Sequence, residues 1–484
     1  MKNKKINYLC FSSIKISEPI ISIKSVKSII TIEHFNKKKY DFLLINKYEN
    51  SLKNEYLPLI RMAFCMPLLN YGLFTKKFIL DFELCKSDLS LLNDLNNIFS
   101  KDIFVNKILR RRANFILPDF FPDEKLVEKK DAEPKAVIIP KKIIKDKKLT
   151  VEIKKDICGI LSSGGKESLL TYCILKESKK EVYPLYINES GGHWRTALSA
   201  YRYHKKTEKN TQRIWTNVDR FYNFMLDNLK FIRKDYRKIK ADTYPIRLCI
   251  FPFYVFSVLP IFIEKKIGNL LIGSEFDDQR NIPSYLGINH YFGIYDQHQD
   301  FDLRMGRWYN KRIPGLKQWS AVRNISGLIV ERILTKRYPN IAKFQRSCHS
   351  CYFENKEIIP CGNCSKCMGV TLFLIANKIN PEIMNFKEND ISSFIKNIES
   401  ASLRLDQDEK DHSLYLISKK NKDLKGKYVE HVEKIHVNKS TCDLRNIPTQ
   451  FRKNILKIIK EYTDGFCVLE NNKWITKKDE NFTN

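Results

Sequence analysis

Across residues 151–376, short apolar runs alternate with stretches whose apolar positions recur every three or four residues. Ile157–Leu161, Val182–Ile187, Arg213–Val218 and Asn269–Gly273 have the composition of buried strands. Helical spacing appears at Ser168, Leu169, Leu170, Cys173 and Ile174, and again over Thr196–His204 and Leu248–Ile263. Strands separated by helices predict an α/β domain with a mainly parallel, doubly wound sheet and right-handed crossovers. Ligands of such sheets bind beyond the carboxyl ends of the strands. The flanking regions read differently. Residues 1–121 alternate β-like runs (Ile14–Ile32, Tyr40–Ile45, Phe78–Phe82) with helical segments near Leu57–Leu69 and Leu89–Phe99, predicting an α+β domain of unknown role. Residues 122–150, rich in Lys, Asp and Glu and punctuated by Pro134 and Pro140, read as a charged linker in which Ala136–Ile139 has the pattern of a pairing strand. Residues 377–484 predict a mostly helical region, amphipathic near Ile391–Ile398 and Phe451–Tyr462, with the Lys-rich segment Lys419–Lys427 between them.

Composition narrows the class without naming a function. With 43% hydrophobic and 12% aromatic residues, the chain is globular rather than disordered. Its net charge of +30 suits a polyanionic partner such as tRNA. The Lys, Ile and Asn bias of an AT-rich genome explains the same number, and the lysines are scattered over the whole length. The basic start at Met1–Cys10 is followed by an apolar segment broken by Ser12, Ser13 and Lys15, so no secretory signal is expected. The longest apolar run, Leu248–Ile263, holds Pro252 and Pro260 and stops at Glu264, short of a membrane span. Thirteen cysteines point to reduced thiols and metal ligation in a cytoplasmic setting.

Two motifs carry chemistry. The first follows Ile157–Leu161: Ser163-Gly164-Gly165-Lys166-Glu167-Ser168, a glycine turn opening a helix. Glycine there admits positive φ and lets backbone N–H groups gather around an anion, toward which the helix N-terminus also points. The P-loop pattern is excluded by Ile160 and Glu167, and no dinucleotide-binding glycine fingerprint is present. The second motif is Cys361-x2-Cys364-x2-Cys367, preceded by Cys351. Four thiolates close a tetrahedral zinc shell, and Gly362 permits a tight knuckle between them. Cys348 and His349 are competing ligands, and spacing alone leaves an iron–sulfur cluster open.

The loop resembles the SGGxDS signature of PP-loop ATP pyrophosphatases. Combined with the cysteines some two hundred residues later, it resembles the 7-cyano-7-deazaguanine synthase family of those enzymes. Three further segments match in order: Glu189-Ser190-Gly191-Gly192-His193-Trp194-Arg195, then Arg247, then Gly273-Ser274-Glu275-Phe276-Asp277-Asp278. The resemblance covers roughly residues 150–375. It departs at Glu167, which stands where the family has Asp, and in a chain about twice the family's usual length.

The resemblance implies a PP-loop, Rossmann-like fold and an ATP-dependent ligase. ATP is split to AMP and pyrophosphate, and the activated carboxylate is attacked by ammonia or an amine, with a nitrile formed in the synthase itself. Ser163, Gly164, Gly165 and Lys166 would hold phosphate, Lys166 offsetting charge on the departing pyrophosphate. Glu167 with Asp277 or Asp278 would hold Mg²⁺, and Ser168 would cap the helix and donate to a phosphate. Substrate contacts fall to His193, Arg195, Arg247 and Glu275, although surface charge beside a glycine turn explains the first two nearly as well. Zn²⁺ on Cys351, Cys361, Cys364 and Cys367 would be structural. Two alternatives stand beside this reading: a relative that modifies a protein or tRNA, reached through the N-terminal and C-terminal regions, and a non-catalytic zinc-containing RNA-binding protein.

Overall fold

The structure, a computed structural model of the chain, describes residues 6–110, 115–189, 191–239, 246–277, 280, 283–398, 403, 405–419 and 424–478. It divides into two compact units, neither of them contiguous in sequence.

The first unit comprises Met1–Ile153, Ile214–Lys266 and Asn281–Leu316. Its strands alternate buried and exposed positions, as in Ser25–His34, so that one sheet face is apolar. Phe11–Ile16 pairs antiparallel with Ser25–His34, which pairs antiparallel with Lys39–Tyr48. On its other side Phe11–Ile16 runs parallel to Lys77–Cys85, and Lys77–Cys85 runs parallel to Val137–Ile144. The charged segment 122–150 therefore contains a sheet strand. The apolar run ending at Ile263 forms the helix Phe251–Glu264, whose Ser257 carbonyl accepts from Tyr48 Oη at 3.0 Å.

Two elements expected within the parallel α/β domain belong to this unit. Residues 214–216 pair antiparallel with Lys39–Tyr48, and Phe251–Glu264 packs on the helix Leu57–Cys65. Both carry the apolar composition of an α/β sheet and its crossover. That composition cannot say which of two apolar surfaces an element will cover.

The second unit comprises Lys154–Arg213, Ile267–Arg280 and Lys317–Asn484. Its strands are β1 (Lys154–Leu161), β2 (Glu181–Asn188), β3 (Ile267–Ile272) and β4 (Lys317–Trp319). They lie in the order β4-β3-β1-β2, all parallel. Strand β1 is thus flanked by β2 on one side and β3 on the other. The strand order reverses at its carboxyl end, the position where open α/β sheets bind ligands. Helix α1 (Lys166–Glu177) follows β1 and is buried through Leu169, Leu170, Cys173 and Ile174. Helices α2 (Gly192–Thr207) and α3 (Gly327–Arg337) follow in chain order. Then come a hairpin of β5 (Tyr352–Glu354) and β6 (Glu357–Ile359), helix α4 (Ser365–Ala376) and helix α5 (Gln407–Ser418).

The C-terminal region is not only helical. Ile435–Val437, Phe466–Glu470 and Lys473–Lys477 form a three-stranded sheet, and the helix Thr449–Lys460 sends Phe451, Ile455 and Ile459 into the same core as β1 and α1. No helix among the described residues is long and apolar enough to cross a membrane.

Candidate functional site: a phosphate-type loop beside a cysteine cluster

Strand β1 ends at Leu161, and the chain turns into α1 through Ser162, Ser163, Gly164 and Gly165. Gly164 has φ +81°, the left-handed conformation that glycine adopts without cost. Gly165 is extended and serves as the N-cap of α1 with no side chain capping the helix. The first-turn N–H groups are therefore not consumed by a side-chain acceptor, and they carry the positive end of the helix dipole. Ser168 does not cap: it is buried and its Oγ donates to the Gly165 carbonyl at 3.1 Å. The end of β3 presses on this turn, since a Cβ on Gly273 would stand 2.8 Å from Glu167 Cβ.

Lys166, at 9% exposure, carries the loop's charge. Its Nζ donates to Glu167 Oε1 at 2.5 Å and to Glu275 Oε1 at 3.0 Å. Burial opposes the ammonium, but Glu167 and Glu275 outweigh it and hold the pKa well above that of an ordinary lysine. More carboxylates surround this one cation than it can neutralise. Glu331 on α3 is fully buried and raised to about 7 by that burial; its Oε2 accepts from Gln345 Nε2 at 2.9 Å. Its Oε1 has no hydrogen-bond partner among the described residues. Glu409 on α5 accepts from the Gly327 N–H at 2.5 Å and is also raised to about 7, by burial and then by Asp406 and Asp277. Glu275 is pushed up by burial and by Glu167, Glu409 and Asp277, against the pull of Lys166. Gly327 makes room for this crowd: a Cβ there would lie 2.8 Å from Glu275 Oε2.

The cysteine cluster forms from Cys348, Cys361, Cys364 and Cys367, with all four sulfurs within 4.8 Å of one another. Sulfur separations of 3.3 Å (Cys348–Cys361), 3.6 Å (Cys348–Cys364) and 3.8 Å (Cys361–Cys367) lie at or just below the edge of about 3.8 Å in a ZnS₄ tetrahedron with Zn–S of about 2.3 Å. The ligands of an iron–sulfur cluster bind different irons, so this close set suits a single ion such as zinc. Gly362, at φ +75°, makes the knuckle turn. The expected fourth ligand, Cys351, is not in the group. Its Sγ donates to the Cys348 carbonyl at 2.8 Å, because the turn that brings Cys348 inward aims the sulfur three residues on at backbone. His349 is likewise outside the cluster, its Nε2 standing 2.9 Å from Lys366 Nζ.

Loop and cluster are directly joined. The Arg346 N–H donates to the Gly164 carbonyl at 2.9 Å. Thr196 Oγ1 donates to the Cys348 carbonyl at 2.8 Å, and Arg195 Nη1 to the Cys351 carbonyl at 2.8 Å. The His193 ring packs on the His349 ring at 4.0 Å between centroids. His193 and Arg195, expected at a substrate, thus contact the cysteine segment. Arg247 lies in the first unit, buried, over the Tyr222 ring at 5.1 Å and 3.7 Å from Asp219 Oδ1. Asp277 is exposed in the β3 loop, while Ser190 and Asp278 lie outside the described residues.

Glu331 and Glu409 are the site residues the sequence left unassigned, while Cys348, named there only as a competing ligand, takes the place expected of Cys351. Glu331 leaves a trace, a lone acid within the apolar helix run Gly327–Leu334; Glu409, inside the acidic stretch Asp406–Asp411, leaves none. Comparison with known protein families, characterised proteins and solved structures finds no match.

Proposed function

We propose that this chain is an ATP-dependent adenylating enzyme of PP-loop type, cleaving ATP to AMP and pyrophosphate and activating a carboxylate for attack by ammonia or an amine. One observation carries the reading. An uncapped helix N-terminus with a glycine turn at φ +81° and a buried lysine stands at the strand-order reversal of a parallel sheet.

In this reading the N–H groups of Gly165, Lys166 and Glu167 bind phosphate oxygens. Lys166 turns from Glu167 and Glu275 toward the departing pyrophosphate, whose charge it offsets. That turn strands two carboxylates, so nucleotide binding is coupled to entry of a cation. Glu167, Glu275 and Asp277 offer the oxygen ligands Mg²⁺ prefers, and the ion would neutralise phosphate charge. In this reading the nucleotide's phosphate oxygens supply further ligands to the ion. The cysteine cluster, closed by four sulfurs, fixes the backbone against which Gly164 is hydrogen-bonded.

The test is product analysis with Mg²⁺ and a panel of carboxylates, a 7-deazaguanine acid first on the strength of the resemblance. AMP and pyrophosphate are expected, with Lys166→Ala and Glu167→Gln each slowing their release by about 100-fold. Formation of ADP and phosphate, or failure of millimolar ATP to bind, overturns the proposal.

A further inference from the structure

Helix α2 and the β5–β6 hairpin present a surface that the loop chemistry does not use. Residues 192–213 carry six Lys and Arg against one acid, Glu208, which is buried and bonded to Lys176 at 2.8 Å. Strand β5 is exposed along its length, with Phe353 at 52% and Tyr352 at 36%. Adjacent aromatic rings left open to water forgo their burial energy, and a contiguous exposed patch of this kind is where recognition surfaces form.

The cations here stand over rings. The Arg202 guanidinium lies 5.8 Å from the Phe353 centroid, and Lys387 Nζ lies 5.5 Å from that of Tyr352. Arg213 lies 5.7 Å from both Trp194 and Tyr201. Arg202 also donates to the Lys356 carbonyl at 3.1 Å, fastening the hairpin turn to α2. The two hairpin acids are occupied: Glu354 by Lys387 at 2.9 Å and Glu357 by Asn385 Nδ2 at 2.8 Å.

We propose that this face binds single-stranded nucleic acid, with bases stacking on Phe353 and Tyr352 and phosphates lying along Arg202, Arg213 and the α2 lysines. Interleaved aromatic and basic side chains are what an unpaired strand needs, since every base offers a π-face and every residue a phosphate. A duplex hides its base faces, and an acidic peptide would satisfy the cations while leaving the rings open. The same helix touches the phosphate-type loop, where a Cβ on Gly164 would stand 3.2 Å from Ala197 Cα. A strand laid along α2 therefore leads toward that loop. The surface stands or falls independently of the adenylating chemistry.

The experiment is fluorescence anisotropy of the full chain with a labelled 20-nucleotide single-stranded RNA at 50 and 200 mM salt. The natural chain is expected to bind, more weakly at the higher salt. The double substitution Tyr352→Ala/Phe353→Ala leaves the charge of the chain unchanged and is expected to weaken binding at least tenfold. Arg202→Ala is expected to weaken binding and flatten the salt dependence by about one unit of slope. Tyr352→Leu/Phe353→Leu keeps the hairpin apolar and should lose affinity equally, with zinc content and melting temperature as checks on folding. Absence of binding overturns the proposal. So does affinity unaltered by either aromatic pair, which would reduce the interaction to attraction by a chain of charge +30. Equal competition by polyglutamate overturns it in favour of an acidic peptide.

Discussion

Glu331 gives the sharpest test of the electrostatics beneath the loop. Its carboxyl is fully buried, and burial raises its pKa from 4.5 to about 7. The folded state therefore holds a proton that the unfolded state releases between those two values. Stability from this group is complete below about pH 4.5 and is lost as pH rises toward 7. The gap of about two and a half pH units, at about 1.4 kcal/mol each, sets a ceiling of about 3.5 kcal/mol. Glu331→Gln removes the titration while keeping the shape. It still accepts from Gln345 Nε2, and its new N–H₂ group points where Glu331 Oε1 has no partner and Gln345 Oε1 lacks one too. At pH 8 the variant should melt about 7–14 °C above the natural chain, taking about 2–4 °C per kcal/mol for a domain of this size. At pH 4.5 the two should coincide within about 1 °C. Calorimetry across this range decides the matter. A constant offset at all pH values, or a variant less stable at pH 8, would refute the claim that Glu331 is a proton-holding acid.

Further outcomes follow from the same geometry. Cys348→Ser should abolish binding of about one zinc ion per chain, whereas Cys351→Ser should retain it, as elemental analysis would show; retained metal in the first variant removes Cys348 from the ligand set. Gly164→Ala forces a residue with a Cβ into φ +81° and against Ala197, at a cost of about 1–2 kcal/mol, so ATP affinity and melting temperature should both fall. Unchanged values would mean that the turn relaxes freely. Because Arg346 ties the Gly164 carbonyl to the cysteine segment, chelating the metal should speed hydrogen exchange over residues 163–168. Exchange confined to residues 348–367 would show the two to be uncoupled.

The two motifs were legible because each is local. Ser163–Ser168 needs only a strand, a glycine turn and a helix in sequence, and Cys361-x2-Cys364-x2-Cys367 needs only one knuckle. Strands β1, β2 and β3 likewise announce themselves through short apolar runs. The residues around Lys166 were less legible. Glu275 could be placed near the loop by family likeness, but Glu409 reaches it from a helix near the C-terminus, out of a run of charges that reads as solvent-facing. The choice of Cys348 over Cys351 was equally hidden, since both fit a ligand spacing and only the direction of a turn separates them.

The sequence alone determined where backbone N–H groups can gather, where thiolates can cluster and which segments must be buried, because these follow from the residue types of short neighbouring stretches. Tertiary structure decided the rest. It assigned 214–216 and Phe251–Glu264 to the first unit, made Val137–Ile144 a strand, and surrounded one lysine with carboxylates from three distant parts of the chain. Apolar pattern fixes that an element is covered but not by what. The field on a buried charge is summed over whatever the fold brings near, at any separation in sequence.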